Sequence, residues 1–185
     1  MKKNLNIVFI LFFLFSLFYV PKIYGQKISP AGISLIRYFE GTKLKAYLCP
    51  ARIWTIGVGH TGNDVYPGMV ITPTQEIIIL RNDLNRFEIY VGKSVERNMK
   101  WHEFDAIVCW SFNVGFRIDE ELKDALDKGN IKIVLMKIIQ YNKARVNGSL
   151  RILPGLVTRR KAECSLYRNT FQNDWSKALL AGYAN

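Results

Sequence analysis

The sequence has few histidines and cysteines, the residues that most often build metal centres. Two histidines and three cysteines occur among its 185 residues, and none of them shows the short paired spacing of a zinc site. The cysteines are Cys49, Cys109 and Cys164. Because their number is odd, at least one thiol stays free or pairs between molecules, and we expect the free one to be Cys49. The sequence therefore predicts no metal centre.

Acidic residues are absent from the first 25 residues, which contain three lysines. An apolar-rich stretch from Leu5 to Val20 follows two of those lysines and ends at a proline. This pattern is typical of an export signal, and the stretch is rather short for a membrane span of roughly 20 apolar residues. We predict a signal peptide over residues 1–25, with a retained N-terminal anchor as the alternative. We expect export to the periplasm, the cell envelope or the medium, and membrane attachment, if any, only through residues 5–20.

Basic residues outnumber acidic residues along the rest of the chain as well. Residues 26–185 keep a net charge of +8 out of +11, because 23 of the 26 Lys and Arg residues and all 15 Asp and Glu residues lie there. Such a surplus favours an anionic partner such as cell-wall polymer, lipid headgroups or nucleic acid. No zinc-finger spacing, basic heptad helix or basic-aromatic RNA-binding signature occurs, so we expect no nucleic-acid partner. Ordinary solvated surface charge explains the surplus equally well.

The order of apolar patterns along residues 26–185 predicts one α+β domain, mostly helical, with a small N-terminal sheet lobe and a helical lobe. Apolar residues at helical spacing run to Glu40, and Gly41 is placed to end that helix in a left-handed cap. Residues 43–72 are short β-branched and aromatic runs broken by turn residues, which indicates a small antiparallel sheet. From Thr72 to about Tyr90, a capping box opens a long helix that can join two lobes. Further helices are predicted over 101–114, 119–128, from Ile131, from Pro154 to about Tyr167 and through Trp175–Leu180, with a loop at Asn147–Ser149.

Glu40 is the first candidate for a catalytic residue because it lies at the end of the predicted apolar helix. The negative end of the helix dipole and the margin of an apolar face both favour a protonated carboxyl group, as a general acid requires. Cleavage of a glycosidic bond needs such an acid and an activated nucleophile on the other face of the sugar. Thr55 lies in a strand whose alternation buries Trp54 and Ile56 and turns Thr55 to the opposite side, where a cleft can lie. An exposed glutamate at a frayed helix end is the plain structural alternative for Glu40.

Five stretches of the sequence fall into one family pattern. They are Tyr38–Gly41, Leu44–Pro50, Trp54–Thr61, Ser111–Gly115 and Leu153–Glu163. In their order and spacing they resemble the phage-type lysozymes, the family 24 glycoside hydrolases. The resemblance implies that residues 26–185 are a lysozyme-like catalytic domain that holds a glycan between its two lobes. It also implies a muramidase that cleaves peptidoglycan between N-acetylmuramic acid and N-acetylglucosamine and needs no cofactor, and we expect a monomer.

On this resemblance Glu40 takes the place of the catalytic acid, and Thr55 that of the threonine that helps to position the attacking water. Cys49 stands where many members have an aspartate and a subset have cysteine. A thiol is a weak base until it ionises, with an ordinary pKa of about 8.5, so Cys49 has to act as a tuned thiolate or as an acceptor that orients water. A disulfide to Cys109 or Cys164 would block it. An inactive peptidoglycan-binding or scaffold protein on the same fold is therefore the alternative function.

Three polar residues are further candidates for contact with the substrate. Asn113 ends an apolar helix, where a polar side chain needs a hydrogen-bond partner, and it is a candidate for lining the cleft. Arg159 and Arg160 follow a predicted helix start. Contact with the substrate and a solvated helix face explain the two arginines equally well.

A cysteine hydrolase is a rival interpretation, with Cys49 activated by His60 or His102. Such two-residue pairs are unspecific in sequence, and no pattern brings either histidine to the thiol. Cys109 and Cys164 lie in apolar helical segments, and we expect both as buried small hydrophobic residues. The same holds for the aromatic residues of the predicted helix over 101–114, which we expect in the core rather than as platforms for sugars: Trp101, Trp110 and Phe112.

Overall fold

The computed structural model describes residues 25–170, which form six helices and four strands. In chain order these are α1 (Pro30–Glu40), β1 (Lys43–Leu48), β2 (Trp54–Gly57), α2 (Pro73–Ser94), α3 (Trp101–Val114), α4 (Glu120–Asp127), α5 (Ile131–Gln140), β3 (Lys143–Val146), β4 (Ser149–Ile152) and α6 (Pro154–Arg168). The predicted α+β class is confirmed. No helix within the described residues is long and apolar enough to span a bilayer. The segment predicted as a signal, apart from Gly25, and the helix predicted through Trp175–Leu180 lie outside the described residues.

Helix α1 is fixed at both ends by its own sequence. The Ser29 hydroxyl caps the start by accepting a hydrogen bond of 3.2 Å from the Ala31 N–H. At the other end Gly41 adopts a φ of 73°, and its N–H donates to the Arg37 carbonyl at 2.9 Å. A positive φ of this kind is easy only for glycine, so the helix ends at Glu40 as predicted.

Strands β1 and β2 form the predicted small antiparallel sheet, with Tyr47 opposite Thr55. The segment from Cys49 to Ile53 joins them, and a hydrogen bond of 3.0 Å from the Cys49 N–H to the Ile53 carbonyl closes a loop over the three residues between. Arg52, the last loop residue, has a φ of 60°, the left-handed conformation that such loops place after a type I turn. The sheet covers a small apolar core of its own, separate from the helical core. That core consists of Ala46, Ile56, Val65 and Ile71.

Helix α2 joins the sheet lobe to the helical lobe. The Thr72 hydroxyl accepts from the Gln75 N–H at 3.2 Å, while the Gln75 side-chain oxygen accepts from the Thr72 N–H at 2.8 Å. This is the predicted capping box, and the helix continues one turn beyond its predicted end. Its side chains contribute to both cores. Ile79 packs against the sheet core, and Leu80, Leu84, Phe87 and Val91 belong to the helical core.

Helix α3 is the centre of the helical lobe and packs against α1, α2 and α6. All residues from Glu103 to Ser111 are buried, as the all-round apolar sequence predicted. Trp110 is fully buried and packs edge-on against Tyr141. The prediction that Trp101 lies in the core is wrong, since its side chain is 41% exposed. Trp101 is the first residue of the helix and precedes the buried span. Phe112, near the other end, is half-buried.

The loop predicted at Asn147–Ser149 is the turn of a second hairpin, in which β3 and β4 pair antiparallel. Asn147 and Gly148 both have positive φ, 50° and 81°, as a type I′ turn requires. Asn-Gly is a strong hairpin signal, but the flanking runs are short and rich in charge. They do alternate polar and apolar residues, but over only four positions each, which is the shortest run that indicates a strand.

Candidate active site

Glu40 occupies the last position of α1, directly before the first hairpin, and meets Arg159 of α6. Arg159 Nη1 lies 2.6 Å from Glu40 Oε1. The Glu40 side chain is 30% exposed, whereas that of Arg159 is buried. The Glu40 carboxyl group and the Arg159 guanidinium form an ion pair that joins the end of α1 to α6. This ion pair was not predicted, because Arg159 comes from 119 residues further along the chain.

Arg159 belongs to a buried ion-pair network in α6. Glu163, which has no solvent exposure, accepts from Arg159 Nε at 3.2 Å and from Arg160 Nη2 at 3.0 Å. The same Arg160 nitrogen donates to Asn113 Oδ1 at 2.8 Å, so Asn113 has the partner that its position required. Burial raises the pKa of Glu163 to about 7, although Arg160 and Arg159 act in the opposite direction. The network links Glu40 to Asn113. Because Arg159 and Arg160 are buried, the interpretation that they lie on a solvated helix face is wrong.

Cys49 and Thr55 come together at the loop of the first hairpin. The Cys49 N–H and the Thr55 hydroxyl both donate to the Ile53 carbonyl, each at 3.0 Å. The pKa of the Cys49 thiol lies below its ordinary value, chiefly because the Ile53 N–H stabilises the thiolate. Desolvation opposes this effect, and the Ala51 N–H and the Thr55 hydroxyl reinforce it. Since a hydroxyl has one proton, Thr55 can donate to the carbonyl or to the thiolate but not to both.

The two groups differ in access to solvent. Thr55 is only 3% exposed, whereas Cys49 is half-buried. The burial predicted for Ile56 is confirmed, but the predicted alternation is wrong, because Thr55 and Gly57 are buried as well and Trp54 is half-buried. The Cys49 thiol is therefore the accessible group of the pair, with the Thr55 hydroxyl beneath the surface.

The His60 side chain contacts two aspartates and not Cys49. Its Nδ1 lies 2.9 Å from Asp83 Oδ2 and its Nε2 lies 3.1 Å from Asp64 Oδ2. The second histidine, His102, places Nδ1 2.8 Å from a backbone carbonyl in the last turn of α6. Both ring nitrogens of His60 are thus bound to carboxylates. The structure does not supply the cysteine–histidine pair that a cysteine hydrolase requires.

All three cysteines, which lie within the described residues, are free thiols. Cys109 and Cys164 are buried as expected. Burial raises the pKa of Cys109 well above its ordinary value and that of Cys164 to about 12. Neither thiol is placed to compete with Cys49 as a nucleophile, and neither blocks it as a disulfide. Residues 25–170 contain no group of three or more His, Cys, Asp or Glu residues that could hold a metal ion.

A glutamate at a helix end, a small antiparallel hairpin beside it and a helical lobe that supplies a buried arginine define a class of protein. That class is the lysozyme-type glycoside hydrolases, which act on peptidoglycan. The family model described as phage lysozyme matches residues 37–163, a range that includes both the hairpin and the ion-pair network. The chain belongs to the phage lysozyme family.

Individual relatives agree with this assignment. The chain is 35% identical to the endolysin of Acyrthosiphon pisum secondary endosymbiont phage 1, over 77% of this chain and 98% of that protein. It spans about half the length of the related endolysins of Bacillus phages PZA and B103. Among solved structures, the endolysin of Escherichia coli O157:H7 phage FAHEc1 is 32% identical with a TM-score of 0.71, covering 77% of this chain and 94% of that one. The muramidase domain of SpmX from Asticaccaulis excentricus is 30% identical with a TM-score of 0.69, covering 77% and 97%.

Proposed function

We propose that this lysozyme is a muramidase that hydrolyses the β-1,4 bond between N-acetylmuramic acid and N-acetylglucosamine in peptidoglycan. The observation that carries the proposal is Glu40 at the end of α1, held 2.6 Å from Arg159. The hairpin with Cys49 and Thr55 follows three residues later. The family membership and the muramidase domain among the structural relatives support the same substrate.

Glu40 is the general acid in this proposal. Its protonated carboxyl group donates a proton to the glycosidic oxygen, the bond from that oxygen to C1 of the muramic acid breaks, and N-acetylglucosamine leaves as an alcohol. The carboxylate formed in this step lies beside the Arg159 guanidinium, which stabilises the new negative charge. Arg159 Nε also donates to Glu163, so a second carboxyl group holds the guanidinium in place beside Glu40.

Cys49 and Thr55 act on the water that completes the reaction. The Cys49 thiolate, stabilised chiefly by the Ile53 N–H, accepts a hydrogen bond from that water and draws off its proton. The Thr55 hydroxyl oxygen accepts the second hydrogen bond and fixes the direction of attack on C1. The water oxygen becomes the hydroxyl of the new reducing end on N-acetylmuramic acid.

Hydrolysis of purified peptidoglycan by residues 26–185 tests this function. We expect new reducing ends at N-acetylmuramic acid, identified by the masses of the released fragments. Glu40→Gln is expected to lower the rate by roughly 100-fold or more, because it removes the proton donor without changing side-chain size. Circular dichroism checks that the variant is folded. A wild-type chain that binds the polymer under reducing conditions and releases no sugar ends would establish the inactive binding protein instead.

The cellular setting is part of the same proposal. The pattern of residues 1–25 supports export to the cell envelope or beyond, where peptidoglycan lies. We infer a monomer that needs no cofactor, with Asn113 at the rim of the glycan site through its bond to Arg160. The mass of the chain recovered from an exporting bacterium tests the cleavage of the signal: loss of about 25 residues supports a signal peptide, and an intact chain supports the anchor.

A further inference from the structure

The second hairpin presents an exposed face on which basic and aliphatic side chains alternate. In its register Lys143 lies opposite Ile152, and Arg145 lies opposite Leu150. Directly opposed residues point to the same side of a sheet, so these four side chains share one face. All four are exposed, and Leu150 and Ile152 retain 64% and 59% of their accessible surface. We call these four residues the hairpin face.

The backbone fixes this face in place. The Asn147-Gly148 turn has the two positive φ values of a tight type I′ turn, and Arg145 Nη1 also donates to the Gly148 carbonyl at 3.3 Å. At the base the Leu153 N–H donates to the Asn142 carbonyl at 3.0 Å. The opposite side of the hairpin is partly covered, since its apolar side chains are half-buried. The closed hairpin therefore keeps Leu150 and Ile152 exposed to solvent.

The stretch of sequence around the hairpin carries charges of a single sign. From Lys128 to Ala162 the sequence contains nine Lys or Arg residues and no Asp or Glu. Several of these cations are neutralised by distant acids, such as Lys137 by Asp119. Among residues 25–170, however, neither basic residue of the hairpin face forms an ion pair. The hairpin face therefore offers positive charge and apolar area together to an outside partner.

We propose that the hairpin face docks on an anionic lipid bilayer. Basic side chains bind the phosphates of acidic headgroups, and aliphatic side chains beside them enter the boundary of the acyl chains. Exposed Leu and Ile residues next to cations suit this two-phase partner. Sugar binding favours aromatic platforms, and no aromatic residue occurs from Asn142 to Leu166. This docking is independent of the muramidase function and of any attachment through residues 5–20.

Flotation with lipid vesicles tests the proposal. The full chain is used, and residues 26–185 are compared in parallel to separate the hairpin face from any contribution of the N-terminal stretch. We expect binding to vesicles of phosphatidylcholine with phosphatidylglycerol and little binding to phosphatidylcholine alone. Lys143→Gln/Arg145→Gln should lower the partition coefficient by roughly 30-fold at low salt.

Two further variants separate the contributions. Leu150→Ser/Ile152→Ser keeps the charge and should lower binding by about tenfold or more, with the larger effect at high salt, where the apolar contribution dominates. Arg81→Gln/Lys93→Gln removes two exposed cations from α2 and is the matched control, expected to lower binding by less than about threefold. All variants should hydrolyse soluble peptidoglycan fragments at the wild-type rate.

Three results would overturn the proposal. Equal losses in the α2 control and in the hairpin variants would mean that net charge alone drives binding. Unchanged binding in the Leu150→Ser/Ile152→Ser variant would remove the apolar contact. Absence of vesicle binding together with weaker binding of the hairpin variants to intact peptidoglycan would assign the face to the wall polymer instead.

Discussion

At the scale of single residues, Cys49 combines access to solvent with a stabilised thiolate. The Ile53 N–H chiefly lowers its pKa. We expect iodoacetamide to react with Cys49 at a lower pH than with an ordinary thiol, and the reaction to stop hydrolysis. The buried Cys109 and Cys164 should stay unlabelled in the folded chain. Mass spectrometry of the three cysteine peptides from about pH 6 to about pH 9, with residual activity measured in parallel, checks this.

Two substitutions at position 49 serve as controls for the labelling experiment. Cys49→Ala should lose most activity, whereas Cys49→Asp should keep activity and become insensitive to alkylation, because a carboxylate needs no tuning to accept a hydrogen bond from water. Full activity of the Cys49→Ala variant would remove the thiol from the mechanism. Rapid labelling of Cys109 would show that the reagent reports unfolding rather than the site.

Glu163 is expected to act through Arg159 as a positioning residue. Its carboxylate shares Arg159 with Glu40, so Glu163→Gln leaves the guanidinium more strongly bound to the Glu40 carboxylate. Above about pH 7, where Glu163 is ionised in the wild-type chain, the variant has one negative charge fewer beside Arg159, so its kcat/KM should fall below the wild-type profile there and approach it at lower pH. A pH profile on soluble fragments measures this difference. A uniform fall in kcat at every pH would contradict the positioning role.

At the scale of elements, α1 carries Glu40 at one end and is tied to α3 at the other. The Ser29 N–H donates to Asp105 Oδ1 at 3.0 Å, and the Ser29 hydroxyl donates to Asp105 Oδ2. Ser29→Ala removes the helix cap and one partner of a buried carboxylate, so we expect the free energy of unfolding to fall by about 2 kcal/mol. Urea unfolding measures it. Ser29→Thr keeps the hydroxyl and should lose clearly less; an equal loss would exclude the hydrogen bonds as the cause.

The ends of elements could be predicted where the signal is local. Ser29 and Gly41 bound α1, and Thr72 with Gln75 opens α2, because each cap depends on residues within one turn. The second hairpin is not predicted, because its local sequence signal is short. Each strand has only four residues, and β4 is exposed throughout, so the alternation beside the Asn147-Gly148 turn is too short to indicate strands by itself.

At the scale of the whole molecule, the sequence gathers Glu40, Cys49 and Thr55 within one short stretch, and their catalytic roles stay predictions. The charges around Glu40 could not be predicted, because they depend on how α6 packs against α1 and α3. Arg159 and Arg160 follow an ordinary helix start in the sequence and resemble surface cations. They are buried with Glu163 because α6 packs against α3 and α5.

The pH dependence of stability also belongs to the whole molecule, since the shifted groups lie in both lobes. His60 joins the sheet lobe to α2. Partial burial lowers its pKa, but Asp64 and Asp83 raise it by more, so the pKa lies above the ordinary 6.5. A histidine of this kind contributes stability that is fully present below about pH 6.5 and is lost as the pH rises through the raised value.

The buried acids of the helical lobe act in the same direction. Burial raises the pKa of Asp105 from 3.8 to about 6, against the hydrogen bonds from Ser29. The folded chain therefore holds that proton more tightly than the unfolded chain, and stability falls by about 3 kcal/mol as the pH rises from about 4 to about 6. Glu163, with its pKa raised to about 7, adds to the fall. Below about pH 4 the trend reverses, because pairing with His60 chiefly lowers the pKa of Asp64.

Stability should therefore be highest near about pH 4 and decline toward pH 8, because His60 loses its proton and Asp105 and Glu163 become ionised over that interval. Thermal unfolding across this range measures the decline. Asp105→Asn should flatten the curve between about pH 4 and 6, and His60→Asn should flatten it above about pH 6.5, where the histidine contribution is otherwise lost. Asp124→Asn, at an exposed pair with Lys128, is the control that should leave the curve in place. A melting temperature that rises steadily from pH 5 to pH 8 would show that the buried carboxyl groups are not held protonated by the fold.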